Sequence, residues 1–195
     1  SLEKQAALNH FQPGSALASH GAPRASRRRL NEATLETGCP MHSMAAHFAA
    51  IAQEEMDEIA ATALAQGRLD WDGFFTGWYR MVRRIVLGEA AREDHALTDL
   101  LEGLRRRGNL AFLRRKDRAG RDAFLARLKA YLDDPDPQSL AGQMARACTD
   151  PGQLPHHQLP QYLFAFDPGG VASFRTLALL SVHPETGAAV RAEAA

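Results

Sequence analysis

The chain has 195 residues, 45% of them hydrophobic, and its 23 Lys plus Arg balance 23 Asp plus Glu to a formal net charge of zero. That length suits one ordinary domain with a real core, spanning 1–195, and excludes a short peptide or a disordered tail. A neutral balance exerts no global pull on nucleic acid or anionic lipid, so a partner has to be recognised by local features.

Two cysteines, Cys39 and Cys148, are too few for a disulfide scaffold and fit a reducing, cytoplasmic setting. The opening stretch has no basic region followed by an apolar run, so no secretory signal is read there. A first residue other than Met suggests a processed or partial chain, and residues 1–20 read as a poorly ordered lead-in.

Alanine occurs 35 times, arginine 20 times and lysine three times, and no run alternates like a half-buried strand, so the expected fold class is all-α. From Ser43, the residues Met44, Phe48, Ile51, Ile59 and Leu64 fall on one side of a helix. The acidic run Glu54, Glu55, Asp57 and Glu58 lies largely opposite, on the solvated side. Phe74, Phe75, Trp78, Tyr79, Val82, Ile85 and Val86 predict a core helix that Gly88 stops, with Trp71 and Trp78 counted among its buried side chains. Asp94 is the expected N-cap of a helix bearing Leu97, Leu100, Leu101 and Leu104. The basic span 105–121 reads as a loop, and Phe124, Leu125, Leu128, Tyr131 and Leu132 mark the next helix. Asp133 to Pro137 breaks the chain, Ser139 caps a short helix, and Asp150-Pro-Gly152 makes a turn.

Leu159 to Val182 is the most unusual segment, with Asp167 and Arg175 as its only charged residues. As a helix it would run roughly 35 Å and be central to the domain. A bilayer-spanning reading is disfavoured, because Asp167-Pro-Gly-Gly170 and Arg175 are each expensive in lipid. Pro168 lacks a backbone donor and clashes with the carbonyl four residues back, so a kink near residue 164 is expected.

The run Phe164-Ala-Phe-Asp-Pro-Gly-Gly170, continuing through an apolar stretch to His183-Pro-Glu185, resembles the distal I helix of the cytochrome P-450 superfamily. Counting back from Pro184 puts Ala165 at the family's Gly, Asp167 at its acid and Pro168 at its Thr. Gly21 to Asn31 is similar to the C-helix segment, with Arg24 at the His position and Arg28 at the Arg position. His20 and Arg24 equally have the spacing of the Trp-x-x-x-Arg version. Ile85 to Asp94 is similar to the leucine-glycine step after the E helix, and 105–121 falls where the F to G region would be. The family's cysteine loop and Glu-x-x-Arg helix do not occur in this sequence, and neither Cys39 nor Cys148 has the loop's neighbours.

The resemblance implies the distal, substrate-side part of a haem-thiolate monooxygenase, an iron-dependent oxidoreductase acting on a hydrophobic small molecule. The implied electron donor is of ferredoxin or flavodoxin type. Arg24 and Arg28 would face the haem propionates, while Ala165 and Gly169 would lie against the distal face. Asp167 would relay protons, and Phe164 and Phe166 would line the substrate pocket together with the segment between Leu97 and Phe112. Pro168 carries no hydroxyl, so proton delivery would need another route, such as Ser173, bound water or a substrate group. The rod would be bent at its midpoint beside a flat void.

Other readings stand beside this one. The chain is alternatively a noncatalytic helical binding module derived from the same fold. Arg105 to Arg121 carries eight basic residues and one acid, but only Phe112 offers base stacking, so nucleic-acid binding is the weakest reading. Cys39, His42 and His47 have spacing reminiscent of metal ligands but form an incomplete zinc site.

Overall fold

A computed structural model describes residues 2–194, which form helices and turns with no strand among the described residues. In chain order the helices are α1 (Leu2–Leu8), α2 (Gly21–Thr34), α3 (Ala45–Gln66), α4 (Trp71–Leu87), α5 (His95–Asn109) and α6 (Arg118–Asp133). They continue with α7 (Leu140–Ala147), α8 (Leu159–Ala165), α9 (Asp167–Val182) and α10 (Pro184–Ala194).

Short polar side chains start these helices where the sequence places them. Asp94 accepts from the Leu97 N–H at 3.1 Å and Ser139 from the Gly142 N–H at 3.0 Å, each satisfying a donor that the first turn leaves unpaired. Gly88 ends α4 with a φ of 103°, a left-handed conformation that a β-carbon would resist. Helix α4 is the hub, packed against α3, α7, α8 and α9. Its Val82 and Val86 are fully buried with Leu97 of α5, Phe124 and Leu128 of α6, Met144 of α7 and Leu163 of α8. Each such side chain contributes about 1.5 to 3 kcal/mol of transfer free energy.

Several expectations need correction. The lead-in is folded: Leu8, Phe11 and Ala18 are buried, and the Gly14 N–H donates to His157 Nδ1 at 3.2 Å. The basic span is mostly helix, because Arg105–Asn109 completes α5 and α6 begins at Arg118. Arginine is a good helix former, so a run of positive charge does not by itself end a helix. Leu64 and Trp71 lie at the surface, although Trp78 packs against the core.

The acidic face of α3 is not uniformly solvated. Glu55 is 1% exposed and pairs with Arg84 at 2.9 Å and Arg92 at 2.7 Å, reached from α4 and the following turn. The expected central rod is also divided. Helix α8 is central, whereas α9 buries only Gly170 and leaves Leu177, Leu179 and Val182 exposed.

Burial of the His157 ring, reinforced by the positive charges of His156, Arg27 and Arg121, lowers its pKa from 6.5 to about 4. The folded ring resists a proton that the unfolded chain accepts, so its stabilising contribution is complete above about pH 6.5 and is lost as pH falls toward 4. Because the ring is partly solvated, the expected loss is about 1 to 2 kcal/mol rather than the full value of the shift. Urea unfolding at a series of pH values should show this slope, and His157→Gln should flatten it.

Candidate functional site

The apolar segment is interrupted at Phe166, between α8 and α9, two residues beyond the expected position. Proline is tolerated in the first turn of a helix, where its missing N–H removes nothing. Pro168 therefore lies inside the restarted helix, and the Gly170 N–H closes the new turn on the Phe166 carbonyl at 3.0 Å. Gly170 also sets how closely α9 approaches α4, since a β-carbon there would fall 2.8 Å from Trp78 Nε1. That indole N–H is buried without a hydrogen-bond partner.

Asp167, the first residue of α9, enters a polar cluster. The Tyr79 hydroxyl donates to its Oδ1 at 2.6 Å, and the Arg105 guanidinium forms an ion pair with Oδ2. Arg105 also lies over the Phe164 ring, 4.9 Å from its centroid, so a cation–π contact holds the guanidinium beside the carboxylate. Burial, followed by the hydrogen bond to Asp167, raises the Tyr79 pKa well above the usual phenol value, and the hydroxyl remains a donor throughout the neutral range. Asp167 opens onto a cavity of about 730 Å³ between α4 and α5, walled by Phe75, Tyr79, Thr98, Glu102 and Arg105. The surroundings of the carboxylate are thus polar on one side and aromatic on the other.

Arg24 and Arg28 lie elsewhere. Both line a second cavity of about 330 Å³ between α2 and α8, shared with Leu17, Leu35, Gln161 and Tyr162. Arg28 is exposed and pairs with Glu32 at 2.7 Å, while the Tyr162 hydroxyl donates to Asn31 at 2.6 Å and ties α8 to α2. At 100° per residue, Gln158, Gln161, Ala165 and Gly169 fall along one side of the interrupted segment, and Asp167 stands roughly 200° away from Ala165. Ala165 and Gly169 are both exposed. Neither lines the cavity beside Arg24 and Arg28, and a β-carbon at Gly169 would face Trp78 of α4 at 3.5 Å.

Phe164 and Phe166 are half-buried against the core, Phe164 meeting Phe11 edge-to-face at 5.6 Å. Neither lines the cavity that holds Asp167 or the one beside Arg24.

The face formed by α2 and α8–α9 was compared with the needs of a haem. Exposed guanidinium groups suit propionates, although Arg28 is already paired with Glu32, and neither Ala165 nor Gly169 lines the cavity beside them. No axial thiolate comes from the described residues: Cys39 is exposed at the surface, and Cys148 Sγ donates to the Asp150 carbonyl at 3.5 Å. The fit covers the propionates only. His42 is engaged within the chain, with Nε2 3.0 Å from the Thr34 carbonyl and Nδ1 accepting from the Met44 N–H. No group of three or more His, Cys, Asp or Glu positioned to hold a metal occurs among the described residues.

Tyr79 and Arg105 are the cluster members that sequence reasoning did not assign to the site. A signal was available for Tyr79: it closes the ladder Trp71, Phe75, Tyr79 at four-residue spacing, and a phenol at the end of an apolar stripe requires a polar partner. Searches with this chain against protein-family models, curated proteins and solved structures find no match.

Proposed function

We propose that this chain forms the distal, substrate-side part of a haem-thiolate monooxygenase that oxidises a hydrophobic small molecule. The observation that carries this reading is the helix interruption at Phe166 with a paired carboxylate directly after it. Asp167 there meets Tyr79 and Arg105, while Arg24 and Arg28 line a separate cavity between α2 and α8.

On this reading a bound haem would supply oxygen activation. The chain's residues bind and prepare. Arg24 and Arg28 hold the propionates as charge-assisted hydrogen-bond donors. Tyr79 keeps the Asp167 carboxylate oriented, and Arg105 neutralises it at rest. Asp167 opens onto the α4–α5 cavity, where its carboxylate exchanges a proton with water. Pro168 offers no hydroxyl, so water has to complete the path. The electron donor remains the ferredoxin or flavodoxin type that the resemblance implies.

Trp78 provides a direct test, since its ring would lie 3.5 Å from a β-carbon at Gly169. Haem added to the chain should quench tryptophan emission saturably. The double variant Arg24→Glu, Arg28→Glu should weaken this binding by about tenfold or more, the loss of two charge-assisted contacts. Quenching that does not saturate, or that ignores both arginines, would remove the support for this reading.

A further inference from the structure

The turn between α5 and α6 stands out from the rest of the surface. Phe112 is 73% exposed and Leu113 86%, with Leu110 beside them and Leu2 of α1 sharing a shallow cavity with Phe112, Arg114 and Lys116. Large apolar side chains grouped at a protruding turn are costly in water and mark a contact surface.

The charges around this knob are of one sign. Arg105, Arg106 and Arg121 are matched by Asp167, Glu102 and Asp122. By contrast Arg107, Arg114, Arg115, Lys116 and Arg118 are exposed and have no carboxylate partner among the described residues. The one acid in the turn, Asp117, is occupied in capping α6 through the Gly120 N–H at 2.9 Å.

From this we infer that the α5–α6 turn is an interfacial anchor for an anionic lipid surface, inserting Leu110, Phe112 and Leu113 among acyl chains while the surrounding cations meet the headgroups. The apolar tip decides between lipid and nucleic acid. A strand of bases would find a single ring to stack on, whereas two leucines and a phenylalanine gain most from hydrocarbon. No helix of the described residues is long and apolar enough to cross a membrane, so the contact is peripheral. The inference does not depend on haem.

Co-sedimentation of the chain with lipid vesicles tests this directly. Binding is expected to vesicles containing phosphatidylglycerol and not to pure phosphatidylcholine, with release at roughly 0.5 M salt as screening shortens. The double variant Arg114→Glu, Arg115→Glu should lower partitioning by at least about 25-fold, fivefold for each cation lost. Phe112→Ser with Leu113→Ser should lower it about tenfold through the lost apolar insertion. These positions are exposed, and circular dichroism should show unchanged helix content in both variants. Equal binding to neutral and anionic vesicles, no vesicle binding, capture of single-stranded RNA in place of vesicles, or variants that bind like the parent would each overturn the inference.

Discussion

Asp167→Asn is expected to lower turnover of the haem-loaded enzyme by about 100-fold or more, the usual scale for loss of a positioned proton carrier. An amide still accepts from Tyr79, so the local fold should survive, but it neither takes up a proton nor balances the charge of Arg105. The ion pair is partly exposed, and its loss should reduce stability by only about 1 kcal/mol. A large fall in rate with a small fall in melting temperature would therefore separate a proton-handling role from a merely structural one. Arg105→Ala supplies the complementary measurement: it keeps the carboxylate and removes its resting partner. Turnover should then fall less than tenfold while the pH dependence of the rate shifts. Equal damage from both variants would argue that the pair only pins α9 to α5.

Glu55→Ala is expected to be the most destabilising single substitution in the helical scaffold, at about 3 kcal/mol or more. The carboxylate is almost fully buried and accepts from Arg84 and Arg92 together. Removing it strands two partly desolvated guanidinium groups, which is much worse than never having had the pair. Glu54 and Glu58 remain as outer partners, so the network loosens without vanishing. Urea unfolding followed by helix signal measures the loss. A change below about 0.5 kcal/mol, the range of an ordinary surface substitution, would contradict the description of α3–α4 packing.

The same glutamate illustrates what the sequence conveys about this fold. Periodicity identifies α4 and α5 because their apolar stripes, the cap at Asp94 and the stop at Gly88 all act within a few residues of one another. The burial of Glu55 depends on Arg84 and Arg92, roughly thirty and forty positions away, and no local pattern in α3 announces them. The interruption of the apolar segment illustrates a different limit. Pro168 signals a break, but the chain places proline in the first turn of a new helix, so the discontinuity falls at Phe166. Arg105 was hidden by its setting: among eight basic residues it looks like loop, yet it is the one that reaches Asp167.

The exposed second half of α9 bears on the functional reading as well. Leu177, Leu179 and Val182 are exposed on different sides of α9. A self-contained binding module would melt cooperatively, remain colourless and keep α9 soluble without further protein.

The most direct test is the absorption spectrum of the protein produced from its whole coding sequence in haem-replete cells. The account predicts a Soret band that, on reduction under carbon monoxide, moves to the long-wavelength position characteristic of thiolate ligation. A well-folded, colourless preparation with neither feature would contradict it.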